Sequence, residues 1–330
     1  FWNVIGYLTG EGGRFYYKHT ELRRSLSMNE PCVSIILTTL NAVKFLRQAI
    51  DSCLNQTYRN LELIVVDGGS TDGTLEIIRD YKEPRMRIIP QQDNAGKLPG
   101  AINLGLEQAR GEYLTWMQAD CWYEPRAIEK MVSVLDEHPD IGQVYADYFE
   151  VDEKGEIKRV CETRDPKMLL ASEPPAGKSI LTLLGDPCGV CFLIQREVRQ
   201  VVGLHNIEAY PSQDYDYRLR IAQQFKSMRI PEPLFYWRFH GDSLSGKLGW
   251  YDLAMVDIRI RKNLGLFTEQ QTREALAELN LSMAFEKYKA QEPQQIPVYV
   301  VKAFRQFPPT MRNRGAWSIL FRSLFKNLTT

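Results

Sequence analysis

Charge of one sign is what this sequence lacks first. Its 330 residues set 41 Lys and Arg against 41 Asp and Glu, a formal net charge of zero, so it has no whole-molecule basic field with which to grip nucleic acid. Nucleic acid is therefore not an expected partner, and any site for a charged ligand must be local. Cysteine is sparse, with six residues at 32, 53, 121, 161, 188 and 191 and no repeat among them. That excludes a disulfide framework and favours a reducing, cytoplasmic setting. The one close pair, Cys188-Gly-Val-Cys191, has no second pair at finger spacing, and Val190 and Phe192 beside it read as buried strand, which argues against zinc. No apolar run approaches the roughly 18 residues of a membrane span. Phe1-Trp2-Asn3 carries neither Met nor a signal-peptide pattern, as expected of a trimmed chain. The glycine fingerprints of phosphate cradles are missing as well. Neither G-x-G-x-x-G nor G-x-x-x-x-G-K-[ST] follows an apolar run, which argues against nicotinamide chemistry and ATP hydrolysis.

What is present is enough apolar surface for a core: 44 % hydrophobic and 11 % aromatic residues beside 25 % charged. From Val33 the run VSIIL reads as a strand, and Val43, Leu46, Ile50, Cys53 and Leu54 recur at helical spacing after it. The unit repeats. Leu61 to Val66 is a second strand before a helix from Thr74 to Tyr81, and Met86 to Ile89 a third before a helix from Leu98 to Arg110. Glu112 to Met117 is a fourth, before a helix marked by Ile128, Met131, Val132 and Leu135. This alternation predicts an α/β fold with a mostly parallel sheet flanked by helices. Beyond residue 150 the rhythm changes to a hairpin, a Pro-rich stretch at Pro174-Pro175, a strand over Val190 to Ile194 and a helix over Gln213 to Phe225, an α+β half. Helices over 250 to 262 and 268 to 288 follow, the second opened by a Thr268/Gln271 capping box. The expected organisation is an arm over 1–30, a body over 31–245 divided near 125, and a helical extension over 246–330.

In such sheets ligands gather at the carboxyl ends of the strands, so the residues just after each run are the informative ones. They are Thr38, Thr39 and Asn41, then Asp67, then Gln91 to Lys97, then Gln118 to Cys121. A carboxylate at a strand end, as Asp67 would be, can accept a hydrogen bond from a nucleobase N–H, with the threonine hydroxyls beside it. The same Asp-Gly-Gly-Ser also suits a plain turn. Lys97, behind Asn94-Ala95-Gly96, has the charge and the helix amides to meet a phosphate, or is a solvated surface lysine.

Six blocks, taken in order, carry a family resemblance: VSIILTTLN at 33–41, LELIVVDGGSTDGT at 61–74, NAGKLPGAINLG at 94–105, GEYLTWMQAD at 111–120, SQDYDYRLRIA at 212–222 and WRFHGDSLS at 237–245. Together they span about residues 32 to 245, and the chain resembles the inverting family-2 glycosyltransferases of the GT-A fold. The resemblance implies transfer of a sugar from a nucleoside diphosphate sugar, with UDP favoured as the nucleotide, to a hydroxyl of a glycan or lipid-linked acceptor in polysaccharide or glycoconjugate synthesis. It also implies a divalent cation, Mn²⁺ or Mg²⁺. The family's Asp-x-Asp reads here Gln118-Ala119-Asp120 with Cys121 where another Asp is common, so one carboxylate, Asp120, is left as the direct ligand and the Gln118 carbonyl faces ribose or a metal-bound water. His240 matches the late histidine that completes the metal shell or contacts the diphosphate, and Arg238 and Ser243 beside it become phosphate ligands. Asp214 stands at the family's catalytic base, with Gln213 in place of the usual Glu. The bland alternative for Asp214 is a cap of its helix, and Asp216, two residues on, points away. Gln118, Cys121 and Gln213 also feed a different reading, a non-catalytic GT-A domain that binds nucleotide, glycan or a protein partner. A nucleotidyltransferase would need a glycine-rich basic loop near the start, which the sequence lacks.

The tail is locally unbalanced. From Ile296 to Thr330 it holds Lys302, Arg305, Arg312, Arg314, Arg322 and Lys326 and no acidic residue. Trp317, Leu320, Phe321, Leu324, Phe325 and Leu328 fall on one helical face. Such a helix lies in a membrane interface, peripheral on the cytoplasmic face, or packs on the body or on a second subunit.

Overall fold

The computed structural model describes residues 30–91, 97–165, 168, 170–184, 189–241, 243 and 249–326. All but the last residue of the expected arm lies outside them, as do Asn94, Ala95, Gly96, Cys188 and Leu328. The first stretch runs β1 (Val33–Thr39), α1 (Leu46–Leu54), β2 (Leu61–Asp67), α2 (Thr74–Asp80), β3 (Met86–Pro90), α3 (Lys97–Gln108) and β4 (Tyr113–Gln118). Every residue of β1 is buried, the pattern of a strand covered on both faces. Helix α1 covers one of those faces because Leu46, Ala49, Ile50, Cys53 and Leu54 form a single stripe. Helix α3 covers the other, and its approach is close: a Cβ on Gly105 would stand 2.4 Å from Cγ2 of Ile36 in β1.

The second stretch adds β5 (Trp122–Tyr123), α4 (Ala127–Glu137), β6 (Ile141–Val151), β7 (Ile157–Cys161), β8 (Cys191–Gln195), α5 (Arg196–Val202), α6 (Gln213–Gln224) and β9 (Lys226–Arg238). These strands extend the first sheet. The order is β3-β2-β1-β4-β8-β6-β9-β5, with β7 hairpinned on β6. Pairing is parallel from β3 to β4 and between β6 and β9, and antiparallel at β4–β8, β8–β6, β6–β7 and β9–β5. The sheet is thus wholly parallel in its first part and mixed beyond it. Thirteen residues of β9 carry Pro231 and Pro233 and shift register against β6, which breaks the alternation that marks a strand in sequence.

The extension comprises α7 (Trp250–Asn263), α8 (Glu269–Lys289), α9 (Ile296–Gln306) and α10 (Arg314–Lys326), and the Thr268/Gln271 capping box is formed. It is stitched to the body by the wholly buried Arg261, which donates to the Leu183 carbonyl (3.1 Å), the Tyr215 hydroxyl (3.0 Å) and the Ala171 carbonyl. The tail helix corrects one expectation. Its predicted single apolar face is split: Leu320 is buried with Ala316, Ile319 and Ser323, while Trp317, Phe321 and Leu324 face outward. Periodicity sets the width of an apolar arc, and the neighbouring helices α8 and α9 of the extension cover only part of this one.

Candidate active site

The strand order reverses between β1 and β4, because the chain leaves β1 toward β2 and β3 and returns to its other side. At that switch point the carboxyl ends of β1 and β4 open into a cleft of about 540 Å³, within the usual range of ligand sites. Thr38, Thr39, Asn41, Lys97, Gln118, Asp120, His240 and Ser243 line it, together with Gly68, Phe45, Glu153 and Tyr210.

The loops on its β1 side are laced together by the residues of the VVDGGSTDGT block. The Asn41 amide donates to Ser70 Oγ (2.9 Å), the Thr71 amide to Asn41 Oδ1 (2.8 Å), the Ala42 amide to Thr74 Oγ1 (2.9 Å) and the Val43 amide to Asp72 Oδ2 (3.1 Å). Asn41 itself takes φ +51°, a left-handed turn that Asn tolerates. Asp67 is outside the cleft lining. Buried at the end of β2, it accepts the Gly69 and Ser70 amides and the Ser70 hydroxyl. Its carboxylate holds its own turn. Of the two threonines, Thr38 donates to the Met117 carbonyl (3.3 Å), whereas the buried hydroxyl of Thr39 has no hydrogen-bond partner and borders the cleft. Lys97 stands with its ammonium 4.5 Å from the ring centre of Tyr210, on the opposite wall.

Asp120 and His240 are 120 residues apart in the chain and meet because β5 pairs antiparallel with β9, Trp122 opposite Tyr236. The carboxylate leaving β4 and the imidazole leaving β9 thereby converge, Asp120 Oδ2 lying 3.2 Å from His240 Nε2. Arg238 secures the junction. Its guanidinium donates to the Asp120 carbonyl (3.0 Å), to Gln48 Oε1 (2.6 Å) and to the Glu153 carbonyl, between the rings of Phe45 and Trp122. Arg238 is buried and does not line the cleft, so the phosphate contact expected of it is not what this geometry offers. Cys121, in the place of a family aspartate, points its thiol at Asp120 Oδ1 (3.2 Å). Burial pushes that thiol well above its ordinary pKa, so it stays a neutral donor. Ser243 donates to the His240 carbonyl (2.7 Å) and so braces the histidine's turn.

Asp214, in the first turn of α6, is not part of the cleft lining. It sits behind β4, where Trp116 Nε1 donates to its Oδ1 (3.2 Å) and Gln213 Nε2 to its Oδ2 (3.1 Å). A glutamate at 213 would not donate in its ionised form; the glutamine does. Asp216 turns away into an ion pair with Arg220 (2.7 Å). The support of Asp214 includes two residues that the sequence reading left without a role, Trp116 and His205. The His205 ring meets both Trp116 (4.7 Å, edge-on) and Tyr217 (4.2 Å, stacked), which also touch each other (5.3 Å). Burial pushes its pKa down to about 4. Asn103 holds its backbone from both sides, donating to the His205 carbonyl (2.9 Å) and accepting its amide (2.7 Å). The available signal was Trp116 itself, two residues before Gln118 and on the same face of β4.

The first part of the chain, residues 34–203, matches the sequence model of glycosyl transferase family 2, half of the chain's length. The chain belongs to that family. An uncharacterized glycosyltransferase of Rickettsia felis is 33 % identical to this family-2 glycosyltransferase over 236 residues, 69 % of this chain and 38 % of the relative. One from Haemophilus influenzae is 30 % identical over 227 residues, 66 % of this chain and 68 % of its own. The chain spans only about two fifths of the length of several such relatives. Among solved structures, S. aureus TarS 1–349 in complex with UDP-GlcNAc superposes with a TM-score of 0.56 at 16 % identity, covering 82 % of this chain and 81 % of that one. The complex of the same protein with UDP gives 0.54 at 17 %, covering 84 % and 81 %. The fold of this glycosyltransferase is GT-A.

Proposed function

We propose that this glycosyltransferase moves a sugar from a nucleoside diphosphate sugar to a hydroxyl of a glycan or lipid-linked acceptor, with inversion, in polysaccharide or glycoconjugate assembly. The observation that carries the reading is the Asp120–His240 pair at the floor of the strand-end cleft. A UDP-sugar is the favoured donor, supported by the UDP and UDP-GlcNAc held by TarS. The unpartnered Thr39 hydroxyl and the backbone of the laced β1 loop take the nucleoside, Asp67 keeping that loop in shape rather than touching it. Lys97 faces the diphosphate from the opposite wall.

The donor set fits a divalent cation. Neighbouring ligands in an octahedral shell at about 2.1 Å stand about 3 Å apart, close to the 3.2 Å between Asp120 Oδ2 and His240 Nε2. Among the described residues no cluster of three or more His, Cys, Asp or Glu surrounds a common point, so the remaining ligands would be donor phosphates and water. Bound Mn²⁺ or Mg²⁺ would neutralise charge on the departing nucleoside diphosphate. The chain's own part is positioning and proton transfer. Arg238 fixes the Asp120 carbonyl, Ser243 fixes the His240 turn, and Asp214, outside the cleft lining but partly exposed to an arriving acceptor, accepts the proton of the acceptor hydroxyl as it attacks the anomeric carbon. Trp116 and Gln213 each occupy one side of one carboxylate oxygen, which leaves lone pairs for that proton.

The test is release of nucleoside diphosphate from a panel of UDP- and GDP-sugars with hydroxyl acceptors. Asp214→Asn is expected to keep donor binding and to lose at least about 100-fold in transfer. Donor binding with no release by the unaltered chain would make it a binding domain instead.

A further inference from the structure

The outward arc of α10 has no role in the cleft, and it touches the core only through Trp317, whose ring lies 4.9 Å from that of Phe304. Ala316, Ile319, Leu320 and Ser323 are buried on the opposite arc, against a cluster that includes Leu281, Val300 and Phe304, so the helix is held in one orientation. That orientation leaves Trp317 37 %, Phe321 52 % and Leu324 46 % exposed. The three follow steps of four and three residues and form a continuous stripe. Trp317 and Phe321 stack at 5.8 Å, and Trp317 Nε1 is tied to the Met311 carbonyl (2.7 Å), with Met311 itself exposed alongside. Arg314, Ser318 and Arg322, one every four residues, run directly beside the stripe. All three are exposed, and Arg322 rests on the Tyr288 hydroxyl (2.8 Å).

We infer that this stripe seats the enzyme on an anionic lipid surface, the aromatic and leucine side chains in the acyl boundary and the arginines at the headgroups. Charge decides the occupant. No acidic residue occurs from Ile296 to Thr330, against six basic ones. The two preceding acids in the chain, Glu286 and Glu292, are paired with Lys289 (3.7 Å) and Lys287 (2.9 Å). A second copy packed face to face would set arginine against arginine. Three half-exposed side chains also fall well short of the roughly 800 Å² per partner of a stable protein interface, whereas interfacial binding needs only a few apolar anchors backed by cations. The attachment is to a surface, since among the described residues no helix is long and apolar enough to cross a membrane.

The full chain is mixed with vesicles of phosphatidylcholine alone or with phosphatidylglycerol added, then sedimented. Co-sedimentation is expected with the anionic vesicles and weakens with salt. Arg314→Gln and Arg322→Gln each lower the partition coefficient roughly fivefold. Phe321→Ser with Leu324→Ser lowers it about tenfold or more, while circular dichroism shows the fold intact because both sites are exposed. Brominated lipid quenches part of the tryptophan emission, and that part disappears in Trp317→Phe. A chain that stays in the supernatant with anionic vesicles overturns the inference. So does sedimentation unchanged in the Phe321→Ser, Leu324→Ser chain, or a dimer in light scattering that the same double variant dissolves.

Discussion

Replacing His205 by Phe should remove an acid sensitivity that this protein carries behind its candidate base. The imidazole stacks on Tyr217 and meets Trp116 edge-on, and burial lowers its pKa from the ordinary 6.5 to about 4, with the nearby Asp214 carboxylate pulling the other way. The folded protein therefore keeps the ring neutral where the unfolded chain would protonate it. A depressed folded-state pKa means that stability is whole above about pH 6.5 and is lost as pH falls toward 4. At about pH 5 the unfolded chain gains about 2 kcal/mol from binding that proton. Phenylalanine preserves the stacked ring and has nothing to titrate. Urea unfolding of both proteins near neutral pH and near pH 5 measures the difference directly. The unaltered chain should lose about 2 kcal/mol more than His205→Phe between the two conditions. Equal losses would refute the reasoning, since other titrating groups are common to both proteins and cancel in the comparison.

Arg238→Met should cost about 2 kcal/mol, read as a lower unfolding midpoint, because the Asp120 and Glu153 carbonyls and the Gln48 side chain lose one charged donor at once. Its KM for the donor should rise as Asp120 loses its hold. Turnover should fall in EDTA and return with Mn²⁺, and Asp120→Asn should shift the Mn²⁺ requirement to about tenfold higher concentration or beyond; activity unaffected by EDTA would remove the cation from the reading. Gly105→Ala should destabilise by about 1–3 kcal/mol despite alanine's better helix propensity, because its methyl would overlap Ile36. In the pair with Ile36→Ala the two losses should be less than additive, and strict additivity in denaturant melts would show that the clash is not the cause.

Local chemistry made much of this protein legible in advance. VSIILTT and LELIVVD are short β-branched apolar runs bounded by turn residues, and such runs have little choice but to be strands buried on both faces. The Thr268/Gln271 box marks a helix start through hydrogen bonds made within four residues. Of the eight candidate site residues that line the cleft, the strand-end positions named six, and the family resemblance supplied His240 and Ser243. The other three candidates stand outside that lining, in settings made partly by residues far along the chain. Asp67 turns its carboxylate onto its own loop, Arg238 is drawn inward by carbonyls at 120 and 153, and Asp214 rests on a tryptophan 98 residues away. The meeting of Asp120 with His240 is a consequence of β5–β9 pairing, and β9, interrupted by two prolines, has no strand period of its own to read. In α10 the sequence determined that an apolar arc exists. Only the packing of α8 and α9 against Ala316, Ile319 and Leu320 decided which part of it remains open, because periodicity records where side chains point along a helix and carries no record of what stands opposite.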